Sequence, residues 1–280
     1  MRLRVGYARY LSLNGAGSSK PSRAAIDREA GAIVRRARAA AGLAPEHVNL
    51  TSTYSVTRYI ARADEIAARL APRSSLLEWG CGSGLLSYLL ARRGLRVTAN
   101  DRAPSTWTIA HDAGISPCIS PGNAPLPFSA SAFDAIASTG VLEHVADQRE
   151  RLGELRRVLK PGGLLFIYMY PNSTGWVEFL FDRLHPLPVQ IDDEGGTVGH
   201  QKRLSLERLT AFVAGLGFEI VAARREDLLP LTGRTLPPAM RRRILDRWQE
   251  LALLEGGLRR IPLLERLSSN LTVIARRPVE

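Results

Sequence analysis

A chain of 280 residues with 45% hydrophobic and 23% charged side chains has the length and balance of one α/β domain with insertions, which excludes fibrous, collagenous and wholly disordered classes. Its formal charge of +11 favours contact with something anionic, such as nucleic acid, an acidic membrane surface or a phosphorylated substrate, while an Arg- and Ala-rich composition accounts for the same excess. The two cysteines, Cys81 and Cys118, suggest neither a disulfide framework nor structural zinc and fit a reducing cytoplasm.

From Met1 to Tyr10 arginine interrupts every apolar stretch, so the hydrophobic region of an export signal is missing. Residues 11–22 read as a loop. Ala24 to Ala41 is helix-compatible and Val56 to Leu70 gives a second helix, ended by Ala71-Pro72-Arg73. Residues 1–70 therefore read as a helical arm or lid added to a core at 71–223. In that core, strands are predicted at Ser75 to Trp79, Arg96 to Asn100, Phe133 to Ser138 and Leu164 to Tyr170, with helices at Leu85 to Arg93 and Asp147 to Leu159. Pro161-Gly162-Gly163 reads as a helix stop and tight turn. Alternating strands and helices imply a mostly parallel sheet. The run Leu164 to Tyr170 is far shorter than the roughly 20 residues that cross a bilayer as a helix, so any membrane association is peripheral.

Residues 171–203, with prolines, glycines and Asp192-Asp193-Glu194, read as an insertion over the active-site edge. A helix at Leu204 to Leu216, a stop at Gly217 and a strand at Phe218 to Ala223 follow, and the final strand runs from Asn270 to Ala275, with the tail ending at 280. Between them lies a helical insertion at 224–269, too long for a hairpin loop. Within it Ile244, Leu245, Trp248, Leu251 and Leu254 recur at helical spacing beside Arg241, Arg242, Arg243 and Arg247. The stretch 239–254 is either a lid packed on the core or a peripheral membrane contact.

The run Glu78-Trp79-Gly80-Cys81-Gly82-Ser83-Gly84 places a glycine-rich turn between a strand and a helix, where backbone can approach a ligand closely. Its G-x-G-x-G spacing is not the G-x-G-x-x-G of a dinucleotide site, and no Walker lysine follows. Further along come Asn100-Asp101, Leu126-Pro127-Phe128, Phe133-Asp134, Val141-Leu142-Glu143-His144-Val145 and Leu159-Lys160-Pro161-Gly162-Gly163. As an ordered set these resemble the class I S-adenosylmethionine-dependent methyltransferases, particularly the type 11 group that includes ubiquinone-biosynthesis methyltransferases.

That resemblance implies a Rossmann-like, mostly parallel seven-stranded sheet with an antiparallel final strand, and S-adenosyl-L-methionine as cofactor. It places Glu78 near the cofactor's amino group, passes Gly80, Gly82 and Gly84 along the methionine and ribose, and sets Asp101 to accept from both ribose hydroxyls. Asn123 and Ala124, in the loop Gly122-Asn123-Ala124, correspond to the adenine-recognising loop, although many relatives carry Asp where Asn123 stands. Ser138, at the edge of the fourth strand, completes the cofactor-binding set.

Methyl transfer depends on placement and, for a hydroxyl acceptor, on a base. His144 is the first candidate, with hydrogen bonding to its own loop as the structural alternative, and His200 is the other catalytic candidate. Some relatives hold a metal through Glu-x-x-Glu-His, but Gly140 occupies the first acidic position here, so no metal is expected. His200 and Arg203 precede the last core helix, where side chains often face the substrate, and Ser205 suits its N-cap. A small-molecule methyltransferase, acting on a hydroxyl of an aromatic, lipid-linked or sugar metabolite, is the preferred reading. A nucleic-acid methyltransferase is disfavoured, because Ser138-Thr139-Gly140-Val141 replaces the Asp/Asn-Pro-Pro-aromatic element of base-amino methylases. A non-catalytic cofactor-binding regulator is the third reading.

Overall fold

The structure is a computed structural model that describes residues 23–39, 50, 53–103, 109–121, 124–176, 190–191, 197–198, 203–229, 254–258 and 260–279. Two helices, α1 (Arg23–Ala39) and α2 (Thr53–Ala67), precede β1 (Ser75–Trp79), α3 (Leu85–Ala91) and β2 (Arg96–Asp101). After β3 (Cys118–Ile119) come β4 (Phe133–Thr139), α4 (Gln148–Val158) and β5 (Leu159–Pro171). The small pair β6 (Gln190–Ile191) and β7 (Thr197–Val198) leads to α5 (Leu206–Ala214), β8 (Glu219–Glu226), α6 (Pro262–Arg266) and β9 (Asn270–Arg276).

Seven strands form one sheet in the order β3-β2-β1-β4-β5-β9-β8, and β6 pairs only with β7. Strands β1 to β5 run parallel, whereas β9 is antiparallel to both β5 and β8. Such a sheet is covered on both faces, and the period-two alternation of each strand divides the core accordingly. Leu76, Ala135 and Phe166 face a cluster with Ile60 and Ile66 of α2 and Leu86 and Leu90 of α3. Leu77, Ile136 and Leu165 face the opposite cluster, with Leu152 and Leu155 of α4 and Leu209 and Val213 of α5.

Helix α4 begins where the Asp147 carboxylate accepts from the Glu150 amide (2.9 Å), and α5 begins at Ser205, whose hydroxyl accepts from the Arg208 amide (3.3 Å). Each side chain satisfies a donor that the helix cannot.

The structure differs from the sequence reading in four places. The N-terminal arm is no appendage to the core: Ala30, Ile33, Val34 and Ala37 of α1 are buried in the cluster that contains Leu76 and Phe166. Pro161-Gly162-Gly163 does not separate two elements but lies inside β5, where pairing steps from Phe133↔Leu159 to Ala135↔Leu164 and leaves the residues between them as a bulge. The seventh strand, β3, was expected but its position was not read, because two residues are too few to show a period. Within 224–269, β8 extends to Glu226 and α6 supplies a turn of helix just before β9. No helix among the described residues is long and apolar enough to cross a membrane. The amphipathic stretch 239–254 lies outside the described residues, Leu254 excepted.

Candidate active site

Strand β1 ends at Trp79 and the chain turns sharply, with Gly80 at φ +76° and Gly82 at φ +48°. Gly80 and Cys81 both donate their amides to Asn100 O (2.9 and 3.0 Å), which pins the loop to the end of β2. The two glycines serve different ends. A Cβ on Gly80 would overlap both methyl groups of Val141, so this glycine lets the β4 edge close onto the loop. A Cβ on Gly82 would meet nothing within 4 Å, so bare backbone faces open space there.

Asp101 stands across from that opening. Its Oδ2 accepts the Gly82 amide (2.7 Å) and its Oδ1 the Arg102 amide (2.8 Å), which fixes the carboxylate and leaves each oxygen lone pairs for a further donor. Asn100, buried beside it, donates from Nδ2 to Cys118 O (2.9 Å) and Ser120 Oγ (2.8 Å) and so ties β3 to β2. Sequence reasoning quoted Asn100 in a motif but gave it no role.

Glu78 is 2% exposed and accepts a hydrogen bond from Ser87 Oγ. Burial pushes its carboxyl up to about 8; the Ser87 bonds oppose that shift and the Asp101 charge adds to it. A cationic group arriving beside Glu78 would restore its charged form.

Ser138 is placed differently. Glu78 pairs with Ala137, so by strand alternation the Ser138 side chain lies on the opposite face of the sheet from Glu78. Its hydroxyl is buried without a hydrogen-bond partner among the described residues.

Beyond β4 a single 3-10 turn, Leu142–His144, follows Val141. Glu143 is 2% exposed and burial pushes its carboxyl up to about 8. The His144 side chain is 37% exposed, with Nε2 3.8 Å from Glu143 Oε1. Ala124 O accepts from Nη1 of Arg151 (2.5 Å), a buried α4 side chain that the sequence reading overlooked. Gly122 and Asn123 lie outside the described residues, as does His200. Arg203 precedes Leu204, which is bridged to Asn172 and accepts the Ser173 amide (3.1 Å), so it stands at the end of β5.

Helix α2 brings residues that the sequence reading did not select. The Arg62 guanidinium lies 5.4 Å from the Tyr59 ring centroid and 5.5 Å from that of Tyr168. Burial raises the Tyr59 phenol, with Arg62 and Arg58 opposing and Glu78 and Glu143 adding, so the ring stands in the field of both site carboxyls. Behind it Glu65 accepts from Nη1 and Nη2 of Arg224 (2.9 and 2.7 Å) and from the Tyr168 hydroxyl (3.0 Å). No polar periodicity announces such a cluster, because buried arginines and glutamates resemble an exposed helix face in sequence. A groove of about 480 Å³ between α1, α2 and α3, lined by Glu29, Arg36, Asp64, Tyr88 and Arg92 among others, includes none of the loop residues and is separate from this site.

Residues 77–167 match the family described as a methyltransferase domain. Over 190 residues the chain is 32% identical to a ubiquinone biosynthesis O-methyltransferase of Caulobacter vibrioides, covering 62% of this chain and 72% of that protein. The chain belongs to the class I S-adenosylmethionine-dependent methyltransferases of the type 11 group. A second relative of the same name, from Xanthomonas campestris, is 37% identical over 116 residues, and there the chain spans about half of the relative's length, 47%.

Solved structures agree on the fold. An S-adenosylmethionine-dependent methyltransferase of Methanosarcina mazei aligns with a TM-score of 0.54 and 23% identity, over 77% of this chain and 98% of that one. The 1,6-didemethyltoxoflavin-N1-methyltransferase of Burkholderia thailandensis, solved with its substrate and S-adenosylhomocysteine, aligns with a TM-score of 0.51 and 15% identity, over 95% and 93% of the two chains. The methyltransferase's cofactor is S-adenosylmethionine. Its own residues fit that molecule: bare backbone at Gly82, a fixed carboxylate with free lone pairs at Asp101, and a buried carboxyl at Glu78.

Proposed function

We propose that this methyltransferase methylates a hydroxyl oxygen of a small molecule, of aromatic, lipid-linked or sugar type, with His144 as the general base. The observation that carries this reading is the placement of the half-buried His144 imidazole in the turn after β4, three residues after Val141, the residue that stands against Gly80 of the cofactor loop. The names of the curated relatives, O-methyltransferases of ubiquinone biosynthesis, support oxygen as the acceptor atom.

S-adenosylmethionine, when bound, supplies a methyl group made electrophilic by its sulfonium. The chain's residues then have three tasks. Asp101 would accept the ribose hydroxyls, Glu78 would meet the amino group and Ala124 would border the adenine, while Gly82 and Gly84 would let the backbone come close. His144 receives the hydroxyl proton of the acceptor as the oxygen attacks. Arg203, before α5, would suit an anionic substituent of the acceptor. Holding the acceptor in line contributes most of the rate, since a well-oriented pair gains on the order of 7–11 kcal/mol over free encounter.

The test is incubation of the purified chain with S-adenosylmethionine and a panel of hydroxylated aromatics, polyprenyl phenols and sugars, read by mass spectrometry for products heavier by one methyl group. A methylated hydroxyl supports the proposal. Methylation confined to RNA or DNA would move the activity to nucleic acid, and tight S-adenosylhomocysteine binding with no product over the whole panel would favour a regulator.

A further inference from the structure

Strand alternation draws one polar row across the face of the sheet that α2 covers. Ala137, Phe166, Ile274 and Ala222 all meet the cluster that holds Ile60 and Ile66 of α2. Thr139, Tyr168, Thr272 and Arg224, each two residues away along its strand, therefore lie on the same face. They are neighbours between strands as well, with Thr139 in register with Tyr168 and Thr272 with Arg224. From β5 to β9 the pairing steps from Ile167↔Val273 to Tyr170↔Leu271, so Tyr168 and Met169 together oppose Thr272, and Met169 takes φ +60° there. A bulge of this kind re-aims side chains, and positive φ at a non-glycine residue persists only where the surroundings hold it.

Helix α2 sets Arg62 over this row, 5.5 Å from the Tyr168 ring centroid and 5.4 Å from that of Tyr59. The Arg62 side chain is 5% exposed, and its one ion-pair partner among the described residues, Oε2 of Glu226, lies 3.9 Å from Nη2, beyond hydrogen-bond reach. The charged groups around it are better matched. Glu65 accepts from both Nη atoms of Arg224 and from the Tyr168 hydroxyl, Arg224 Nε donates to Oε1 of Glu226 (2.6 Å), and Arg58 is paired with Asp227. The Thr139 and Thr272 hydroxyls, on either side of Tyr168, are buried with no hydrogen-bond partner among the described residues. A buried guanidinium and two buried hydroxyls without acceptors are costly, and protein interiors rarely keep such groups unmatched. All three donate, so what they lack in common is an acceptor.

The chemistry of that acceptor group follows from the donors. A guanidinium presents a flat fork of N–H groups that matches a planar carboxylate. Glu226, close enough to offset part of the Arg62 charge, suits a monoanion and disfavours a phosphate dianion. The Tyr59 ring that meets Arg62 also stands in the field of Glu78 and Glu143, which sets the row beside the cofactor loop and the turn that carries His144.

We propose that Arg62, with the hydroxyls of Thr139 and Thr272, forms a subsite for a carboxylate carried by the methyl acceptor. The proposal deepens the small-molecule reading and rests on it: the acceptor is a hydroxylated acid, and its anionic group has a buried partner beyond the Arg203 contact.

The test is calorimetry on the full-length chain loaded with S-adenosylhomocysteine, titrated with meta-hydroxybenzoate, meta-hydroxycinnamate and the methyl ester of each. Wild type is expected to bind the acids more tightly than the esters by roughly 10- to 150-fold, the range for a hydrogen bond to a charged group. Arg62→Met should abolish that difference with the affinity for S-adenosylhomocysteine unchanged, and Arg62→Lys should restore part of it. Thr272→Val, which removes a hydroxyl and no charge, should weaken the acids by roughly 2- to 12-fold. If Arg62→Met fails to fold, the lysine and valine variants decide the question. Esters that bind as well as the acids, or acids that do not bind, would overturn the subsite. So would a loss of S-adenosylhomocysteine affinity in Arg62→Met, which would give the guanidinium to the cofactor's own carboxylate. Acids that bind through Arg62 and are never methylated would keep the subsite and refute transfer to their hydroxyls.

Discussion

The amide of Gly82 donates to Oδ2 of Asp101 at 2.7 Å, joining the loop after β1 to the end of β2 and presetting a carboxylate beside bare backbone. Cofactor binding then needs little rearrangement of either partner, which saves ordering cost.

Asp101→Ala removes a fixed charged acceptor and leaves the Gly82 amide without its partner. Hydrogen bonds to charged groups contribute about 1.5–3 kcal/mol, so the affinity for S-adenosylhomocysteine should fall by roughly 10- to 150-fold. Isothermal calorimetry reads this directly, and an unchanged affinity would remove Asp101 from the site.

Gly80 and Gly82 separate folding from binding. Gly80→Ala forces a Cβ into Val141 at a positive φ and should cost about 1–3 kcal/mol of stability, part of which Val141→Ala restores. Gly82→Ala meets no neighbour, so its stability loss should be limited to about 1 kcal/mol of backbone strain while cofactor affinity drops. Denaturation midpoints measured beside calorimetry distinguish the two positions.

His144→Ala should leave S-adenosylhomocysteine affinity unchanged and slow transfer to a hydroxyl acceptor by about 10²–10⁴-fold, the range of general-base contributions. A variant that turns over at the wild-type rate would remove His144 from the reaction.

Stability of the cofactor-free chain should fall as pH rises. Burial pushes the carboxyls of Glu78 and Glu143 up to about 8. An unfolded glutamate titrates near about 4.3, so from there to about 8 the native state holds more protons than the unfolded one, and raising the pH favours unfolding until both forms are ionised. Urea midpoints taken across this window should slope downward in wild type and less steeply in Glu78→Gln or Glu143→Gln.

Glu65→Gln should be destabilising by about 1–3 kcal/mol, because Arg224 would lose one of its two carboxylate partners and keep only Glu226. Replacing the pair together, Glu65→Leu with Arg224→Met, should cost less than the sum of the single changes, as urea unfolding of the three variants would show.

Local features made much of this chain legible. The apolar run at Ser75 to Trp79, the glycines at its end and the Asn100-Asp101 pair after the next strand lie close in sequence, so strand, turn and carboxylate follow from neighbours alone. Ser205 and Asp147 cap helices by bonds spanning three residues, and so were open to the same reasoning. Other features depend on contacts between residues far apart in the chain. Arg62 and Glu65 look like the solvent face of a helix until β5 and β8 supply Tyr168 and Arg224, and Arg151 looks exposed until Ala124 arrives beneath it.

The sequence by itself determined the strand and helix alternation, the glycine turn and the acidic residue that follows it, because each depends on local periodicity and backbone freedom. Only the tertiary structure decided that α1 belongs to the core, that Pro161 to Gly163 bulges within a long strand, and that Ser138 faces away from Glu78. Those outcomes follow from register and long-range pairing, for which burial of the whole sheet, not any single segment, supplies the free energy.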